Sequence, residues 1–301
     1  MQAYWCMYIL VNKNYSKQDK PQTTMEEITI NRVELAKIIL DKINQDRDSI
    51  KQHYKNSKNN IGYFYIDNLL PVEIAQHINI QFPDPKKMIL KKSLREDKHI
   101  AAQMNKYHPI LEEVIYAFQN EKIVQNIKDI CEIEFLCPDE HLYAGGISSM
   151  KKGQFLNPHL DNSHDKDRNR WRVLNLLYYV SPEWNDENGG HLELWPNGLK
   201  KKQVTLHSRF NRLIVMATHQ SSWHSVSPVL VNSSRNCVSN YYFSNNPLQA
   251  NDKFHVTTFR GRPEQIITNQ ILKIDSSIRM NIRKIFKKGI VENPHLYKKE
   301  D

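Results

Sequence analysis

The most chemically informative stretch of this sequence runs from Gly153 to Asp161 and ends in His-Leu-Asp. His159 and Asp161 are two residues apart, so on an extended chain both side chains point to the same side. Two histidines and one carboxylate can occupy one face of an octahedron around a mononuclear non-haem iron(II) ion, which leaves positions open for a co-substrate and oxygen. The pattern therefore predicts an iron site with His159 and Asp161 as two of its three ligands.

The third ligand has to come from a distant part of the sequence. His224 opens a strand-like segment in which alternation places it on the same face as Val226. His219 follows an apolar strand but precedes polar residues, and it is the main alternative. Four further histidines compete for this position: His141, His164, His191 and His207. We expect His224 to be the third ligand.

Arg235 follows His224 by eleven positions. A guanidinium presents two parallel donors that match a carboxylate, and it stays charged when buried. Alternation places Arg235 on one strand face with Cys237 and Ser239. Taken alone, Arg235 could equally be a surface residue of the polar turn before it. Beside a metal site, it is expected to bind the carboxylate of a co-substrate.

Composition narrows the class of protein. The net charge of +9 over 301 residues raises the question of an acidic partner, but the lysines are dispersed and no helix carries a basic stripe with interleaved aromatics. We therefore do not expect nucleic-acid binding. The longest apolar run, at 174–180, is too short to span a bilayer. The cysteines form no Cys-x-x-Cys pair, which disfavours zinc and disulfides and favours a cytoplasmic location; they are Cys6, Cys131, Cys137 and Cys237.

The first half of the chain is predicted to be mostly helical. Residues 1–24 are expected to be a disordered extension, with Met25 as an alternative start. A helix is predicted from Asn31 to about Ile50, and Asn31 with Glu34 resembles a capping pair. The remaining patterns are a strand at 61–66, a short helix from Pro71, a lysine-rich strand or loop at 86–92, and helices at 107–119 and 121–130.

The second half reads as short strands separated by turn signals, which is typical of a double-sheet jelly roll. A C-terminal helix at 268–287 carries one isoleucine face (Ile271, Ile274, Ile278, Ile282 and Ile285), expected to pack on the barrel exterior. The predicted strands are 143–150, 155–160, 173–180, 191–195, 202–206, 212–217, 224–228 and 237–244. The chain thus divides into a helical part at 25–135, a jelly-roll core at 136–250 and a C-terminal helical segment at 251–301.

Four motifs in order resemble one family. They are Gly153 to Asp161, the strand Arg172 to Val180, the hairpin Gly189 to Trp195, and His224-Ser-Val followed by Arg235. Together they resemble the iron(II)/2-oxoglutarate-dependent dioxygenases, specifically the prolyl-4-hydroxylase-like branch, over about residues 140–245.

The resemblance implies an α+β fold with a mainly β core, a double-stranded β-helix that holds Fe(II) with His159, Asp161 and His224. It also implies 2-oxoglutarate and O2 as co-substrates, with ascorbate as a candidate accessory reductant. Arg235 would bind the far carboxylate of 2-oxoglutarate, while Tyr179 and Asn175 on the inner strand face are candidate contacts. Met150 stands where prolyl hydroxylases commonly have a tyrosine, so the co-substrate pocket is expected to differ in detail.

The predicted function is hydroxylation of a C–H bond in a prolyl, peptidyl or amino-acid-like substrate. Asp161 is present rather than replaced by a small residue, which favours hydroxylation over halogenation. The loops at 162–171 and 184–188 are expected to shape the entrance, and their charges suggest a polar peptide or small-molecule substrate. Two alternatives stay open: a cupin-like metal enzyme that does not use 2-oxoglutarate, and a non-catalytic binding module on the same fold.

Overall fold

An antiparallel β-sheet organises the molecule. The computed structural model describes residues 28–286 and 296–297, and within these ranges the sheet has thirteen strands. The eight strands predicted in the second half are all present; four are two or three residues shorter than expected, two have the expected bounds and two are longer, so the jelly-roll prediction is confirmed. The strands are β1 (Tyr63–Ile66), β2 (Ile89–Lys92), β3 (Glu96–Ala101), β4 (Cys137–Pro138), β5 (Gly146–Met150), β6 (Phe155–Leu160), β7 (Trp171–Tyr179), β8 (Leu192–Leu194), β9 (Val204–Leu206), β10 (Arg212–Ala217), β11 (His224–Val226), β12 (Arg235–Ser244) and β13 (Thr258–Phe259).

The sheet curls into the two halves of a double-stranded β-helix. Strands β1, β10, β7, β12 and β5 form one half, and β6, β11, β8 and β9 form the other. The two halves are joined by β3, which pairs with β5 through residues 99–101 and with β6 through residues 96–97. This strand was not predicted, because its sequence Glu-Asp-Lys-His-Ile-Ala lacks apolar alternation and its residues are only partly buried before Ala101.

Helices cover the outer face of the larger half-sheet. On β7, Leu174, Leu176 and Tyr178 pack into the cluster shared with these helices, whereas Leu177 and Tyr179 belong to a separate cluster inside the barrel. The strand is therefore buried on both faces, which explains its nearly continuous apolar sequence. The helices that contribute to this cluster are α1 (Arg32–Gln45), α2 (Arg47–Ser57), α3 (Val72–Ile80), α4 (Pro109–Ala117) and α5 (Glu121–Cys131), and the sixth helix, α6 (Ile266–Ile285), packs elsewhere on the β core.

The N-terminal helix predictions are confirmed with one change. Asn31 caps α1 in a full capping box with Glu34, because each side chain bonds the other residue's backbone N–H. The single predicted helix is two helices that meet at Asp46 and extend to Ser57. The expectations for residues 1–24 and Met25 lie outside the described residues. None of the described helices is long and apolar enough to cross a membrane.

Helix α6 packs on the β core as expected, but the predicted packing face is wrong. Leu272 and Ser276 are buried, whereas Ile271, Ile274, Ile278 and Ile285 are about half to three-quarters exposed. The Ser276 hydroxyl donates to the carbonyl of Phe259, which brings α6 beside β13. In the following turns of α6, the side chains of Arg279, Ile282 and Arg283 line a cavity instead of packing against an apolar surface. Because this side of α6 borders a polar cavity, it does not need to be apolar. The isoleucine periodicity therefore predicted the wrong face of the helix as the packing face.

Candidate metal centre and co-substrate cavity

The structure brings His159, Asp161 and His224 together. His159 on β6 and His224 on β11 are directly opposite each other in an antiparallel pair, and Asp161 lies just beyond the end of β6. The Nε2 atoms of His159 and His224 are 3.8 and 3.7 Å from the two Asp161 carboxylate oxygens. One candidate ligand atom from each residue lies within 4.8 Å of the others, a spacing that a single ion can bridge.

The backbone orients both imidazole rings for metal binding. The Nδ1 atom of His159 is 3.0 Å from the carbonyl oxygen of Asn157, and Nδ1 of His224 is 2.9 Å from that of Ser222. A carbonyl only accepts, so each Nδ1 carries the hydrogen and each Nε2 presents a lone pair towards Asp161. This arrangement fixes the tautomer that a metal-ligating histidine requires.

The charges of the site also fit a cation. Burial lowers the pKa of His159 to about 3, so its imidazole is neutral. Burial alone would raise the pKa of Asp161, but His224, Arg172 and His159 outweigh it and hold the pKa below its usual value. The Asp161 Oδ2 atom is buried and accepts no hydrogen bond. A buried carboxylate oxygen without a donor is costly unless a cation satisfies it.

The competing histidines use their ring nitrogens elsewhere. Nδ1 of His191 accepts from the backbone N–H of Ser208, and its Nε2 donates to the carbonyl of Asp186. Nδ1 of His219 accepts from the N–H of Ser221. Among the described residues, His159, Asp161 and His224 form the one group of three with metal-ligand spacing.

Arg235 lies in a narrow cavity of about 200 Å³ that is also lined by the three candidate ligands. Its side chain is buried, its Nη1 donates to the Met150 sulfur at 3.3 Å, and its Nε has no partner. No carboxylate among the described residues lies within ion-pair distance of it. Gly190 makes room for this side chain, because a Cβ there would lie 2.8 Å from Cδ of Arg235. A buried guanidinium without an anion is strongly unfavourable, so the cavity is built to receive one.

Tyr179 and Asn175 lie on the inner face of β7, as predicted. Asn175 lines the narrow cavity, and its Oδ1 has no hydrogen-bond partner. Tyr179 lies behind Arg235, with the guanidinium carbon 4.9 Å from its ring centroid. Its hydroxyl is also unpartnered, and burial raises its pKa to about 12, so it is a neutral donor. Together with Arg235, these groups offer a carboxylate one charge and at least one further hydrogen bond.

A larger cavity of about 680 Å³ opens over His159 and Asp161. The loop at 162–171 lines it in part, as expected, but residues 184–188 line neither this cavity nor the narrow one. Trp184 is instead buried, and its indole N–H donates to the carbonyl of Gly189. The entrance is formed by β2, β3, the segment 254–259 and α6, which are distant in sequence from the motifs.

Sequence reasoning missed Tyr241 and underrated Arg172. Tyr241 lines both cavities, and the guanidinium carbon of Arg172 stacks 4.4 Å from its ring centroid. Arg172 is also 3.7 Å from Asp161 Oδ1. A signal for Tyr241 was available, because it continues the alternation of Arg235, Cys237 and Ser239 along the same strand face. Arg172 offered no such signal, since a bulge in the β7–β12 pairing shifts the register next to it.

Comparison with known proteins identifies the core. Residues 145–243 match the family model of the 2OG-Fe(II) oxygenase superfamily. A search of curated proteins by sequence finds no match.

The fold is similar to that of solved oxygenases. A prolyl 4-hydroxylase from Phytophthora capsici superposes with a TM-score of 0.51 at 14% identity, covering 88% of this chain and 84% of that one. A prolyl-4-hydroxylase from Pseudomonas putida gives 0.49 at 14% identity, covering 65% and 100%. HygX from Streptomyces hygroscopicus, with nickel and 2-oxoglutarate bound, gives 0.45 at 11% identity, covering 64% and 86%.

The predicted resemblance is thereby confirmed, at the level of the fold for the prolyl-4-hydroxylase-like branch. The family implies Fe(II), 2-oxoglutarate and O2, which agrees with the predicted cofactor and co-substrates. The donor set of two imidazoles and one carboxylate fits the metal, and the unpaired Arg235 fits the co-substrate's carboxylate. Residues 145–243 thus match the 2OG-Fe(II) oxygenase superfamily, and this match supports a 2-oxoglutarate-dependent dioxygenase.

Proposed function

We propose that this dioxygenase hydroxylates a C–H bond of a prolyl, peptidyl or amino-acid-like substrate, with His159, Asp161 and His224 as the iron ligands. The observation that carries the ligand assignment is the buried Arg235, which has no anionic partner and lines the same narrow cavity as the three residues. A dicarboxylate that reaches both would neutralise the arginine at one end and chelate the metal at the other. One dicarboxylate therefore accounts for both the unpaired arginine and the nearby metal ligands, and two separate ligands are not needed.

The protein's own groups do the positioning. His159 and His224, held by their Nδ1–carbonyl hydrogen bonds, and Asp161 would occupy one face of the metal. Arg235 would hold the far carboxylate of 2-oxoglutarate, and Asn175 and Tyr179 would add contacts along the inner face of β7. When bound, iron together with 2-oxoglutarate and O2 supplies the oxidising chemistry, and 2-oxoglutarate is converted to succinate and CO2.

The larger cavity supports a substrate bigger than a free small acid. Its volume of about 680 Å³ lies within the usual range of about 300–1,000 Å³ for ligand sites. Its floor contains His159, Asp161 and Tyr241, so a bound substrate reaches the metal position directly. Solved proteins with this fold include prolyl 4-hydroxylases, which makes a peptidyl proline the default substrate. A cytoplasmic reaction and a role for ascorbate stay predictions of this proposal.

Anaerobic titration of the purified protein with Fe(II) and 2-oxoglutarate tests the assignment. We expect the weak visible charge-transfer band of the chelate in the native protein, no band in His159→Ala, and a weaker band in Arg235→Met. A folded, iron-loaded native protein without the band would overturn the ligand assignment. Succinate release above the substrate-free rate, followed by mass analysis of the added compound, then identifies hydroxylated peptides or amino acids. A product mass without an added oxygen would contradict hydroxylation.

A further inference from the structure

The outer walls of the larger cavity are positively charged. The hairpin formed by β2 and β3 provides one wall and α6 provides the other. The carboxylates that line the cavity are Glu96, Asp165 and the candidate ligand Asp161. The cationic side chains that line it are twice as numerous: Lys91, Arg95, Lys98, Arg172, Arg279 and Arg283. A ligand that enters between these walls meets an excess of positive charge.

Part of this charge is neutralised within the protein. Lys98 pairs with Glu96 at 3.1 Å. Arg95 and Arg279 both pair with Asp275, at 2.5 and 2.9 Å, so two arginines share one carboxylate. Burial and the neighbouring Arg95 lower the pKa of Arg279, as expected for crowded cations. One positive charge of this group is left without compensation.

Two further cations have no acidic partner. Among the described residues, neither Lys91 nor Arg283 makes an ion pair, and the Nε atom of Arg283 is buried without a hydrogen-bond acceptor. Arg168 adds a further charge next to Arg283, because its Nη2 donates to the Arg283 carbonyl at 2.7 Å. Burial and Arg283 together lower the pKa of Arg168. A protein gains nothing for its own stability from gathering unpaired cations.

Arg172 extends the excess of positive charge to the metal position. Its side chain is 4% exposed, and its Nε has no hydrogen-bond partner. Its nearest carboxylate is Asp161, whose charge would be committed to a dication. The rest of the cavity wall combines apolar side chains such as Phe254 and Val256 with neutral polar ones such as Asn162. The lining therefore suits a ligand that carries a negatively charged group.

We propose that the substrate carries a carboxylate or phosphate group outside its reacting C–H bond, and that Arg283 and Lys91 bind this group at the mouth of the larger cavity. This inference rests on the proposed function and names the substrate class of the same site. Arg95 and Arg279 add to the attraction but are held by Asp275. The charge is separate from the site for 2-oxoglutarate, since Lys91 and Arg283 do not line the narrow cavity.

Binding of matched ligand pairs tests the proposal. The protein is loaded anaerobically with Fe(II) and 2-oxoglutarate, so that the Arg235 site is filled. One pair is a proline-centred peptide flanked by glutamates and its glutamine counterpart, and the other is O-phosphoserine and serine. We expect the charged member of at least one pair to bind about tenfold more tightly, with the preference falling as salt rises. The pair that shows the larger preference distinguishes a carboxylate from a phosphate.

Two double variants test which residues cause the preference for the charged ligand. The double variant Lys91→Gln/Arg283→Gln should lose it. The control double variant Lys92→Gln/Lys273→Gln removes the same charge from the same strand and helix, at exposed positions outside the cavity, and should keep it. Equal binding of charged and neutral members, or equal loss in the control, would overturn the proposal. The charge-transfer band is the independent check on the proposed function: its presence in all these variants separates a wrong substrate class from a wrong active site.

Discussion

Arg235 allows a prediction in which stability and co-substrate binding change in opposite directions. Replacing it with methionine keeps an unbranched apolar chain but removes a buried charge that has no anionic partner. Truncating one member of a buried, hydrogen-bonded charge pair costs about 2–5 kcal/mol of binding. At about 1.4 kcal/mol per tenfold, the affinity for 2-oxoglutarate should fall at least roughly 30-fold. The co-substrate-free protein should gain about 1 kcal/mol of stability or more, because the uncompensated charge is gone.

Thermal unfolding with and without 2-oxoglutarate measures both effects. The native protein should be stabilised by 2-oxoglutarate in proportion to the logarithm of its concentration over Kd, and Arg235→Met should lose most of this shift. Arg212 offers a matched control: it is also buried, but it pairs with Asp67 at 2.7 Å. Arg212→Met should lower the unfolding temperature and leave the 2-oxoglutarate shift intact. A destabilised Arg235→Met protein that still binds 2-oxoglutarate normally would show that Arg235 is structural and refute the reasoning.

Three further predictions follow from neighbouring parts of the structure. Gly190→Ala should raise the KM for 2-oxoglutarate with little effect on iron affinity. Gly190 has a φ of +68°, and the Cβ of an alanine there would displace Arg235. Unchanged kinetics would contradict this prediction. Arg262→Met should cost about 3–5 kcal/mol in chemical denaturation, because it leaves the buried Glu193, 2.8 Å from Arg262, without its cationic partner; a loss below 1 kcal/mol would contradict this reasoning. Burial lowers the pKa of His219, so the unfolded chain binds a proton below about pH 6.5 while the folded protein does not. Stability should therefore fall as the pH decreases through 6.5, and His219→Gln should flatten this slope in unfolding scans between pH 7 and 5.

The motif residues were predictable because strand alternation is a local property. His159 and Asp161 lie two apart, and Arg235, Cys237 and Ser239 follow the same rule, so their shared faces can be read without knowing the fold. His224 was preferred over the other histidines because alternation along its predicted strand places it on one face with Val226.

The walls of the cavities were not predictable in the same way. The polar strand β3 carries no alternation, yet it joins the two half-sheets and supplies Lys98 beside the metal position. On α6, the periodicity identified an apolar face correctly but could not tell which face the cavity edge would contact. Residues 184–188 were expected to shape the entrance, but they line neither cavity, and Trp184 is buried in another cluster.

The sequence by itself therefore determined the candidate ligand types, the arginine, the positions of the strands in the second half and the resemblance to the dioxygenases. It did so because each depends on residue identity and on spacing within one strand. The tertiary structure alone decided that Arg235 is buried without an anion, and that Arg172, Tyr241, Lys91 and Arg283 line one cavity. These facts depend on contacts between segments far apart in the chain. Local patterns carry no information about which side chains such contacts leave unpaired.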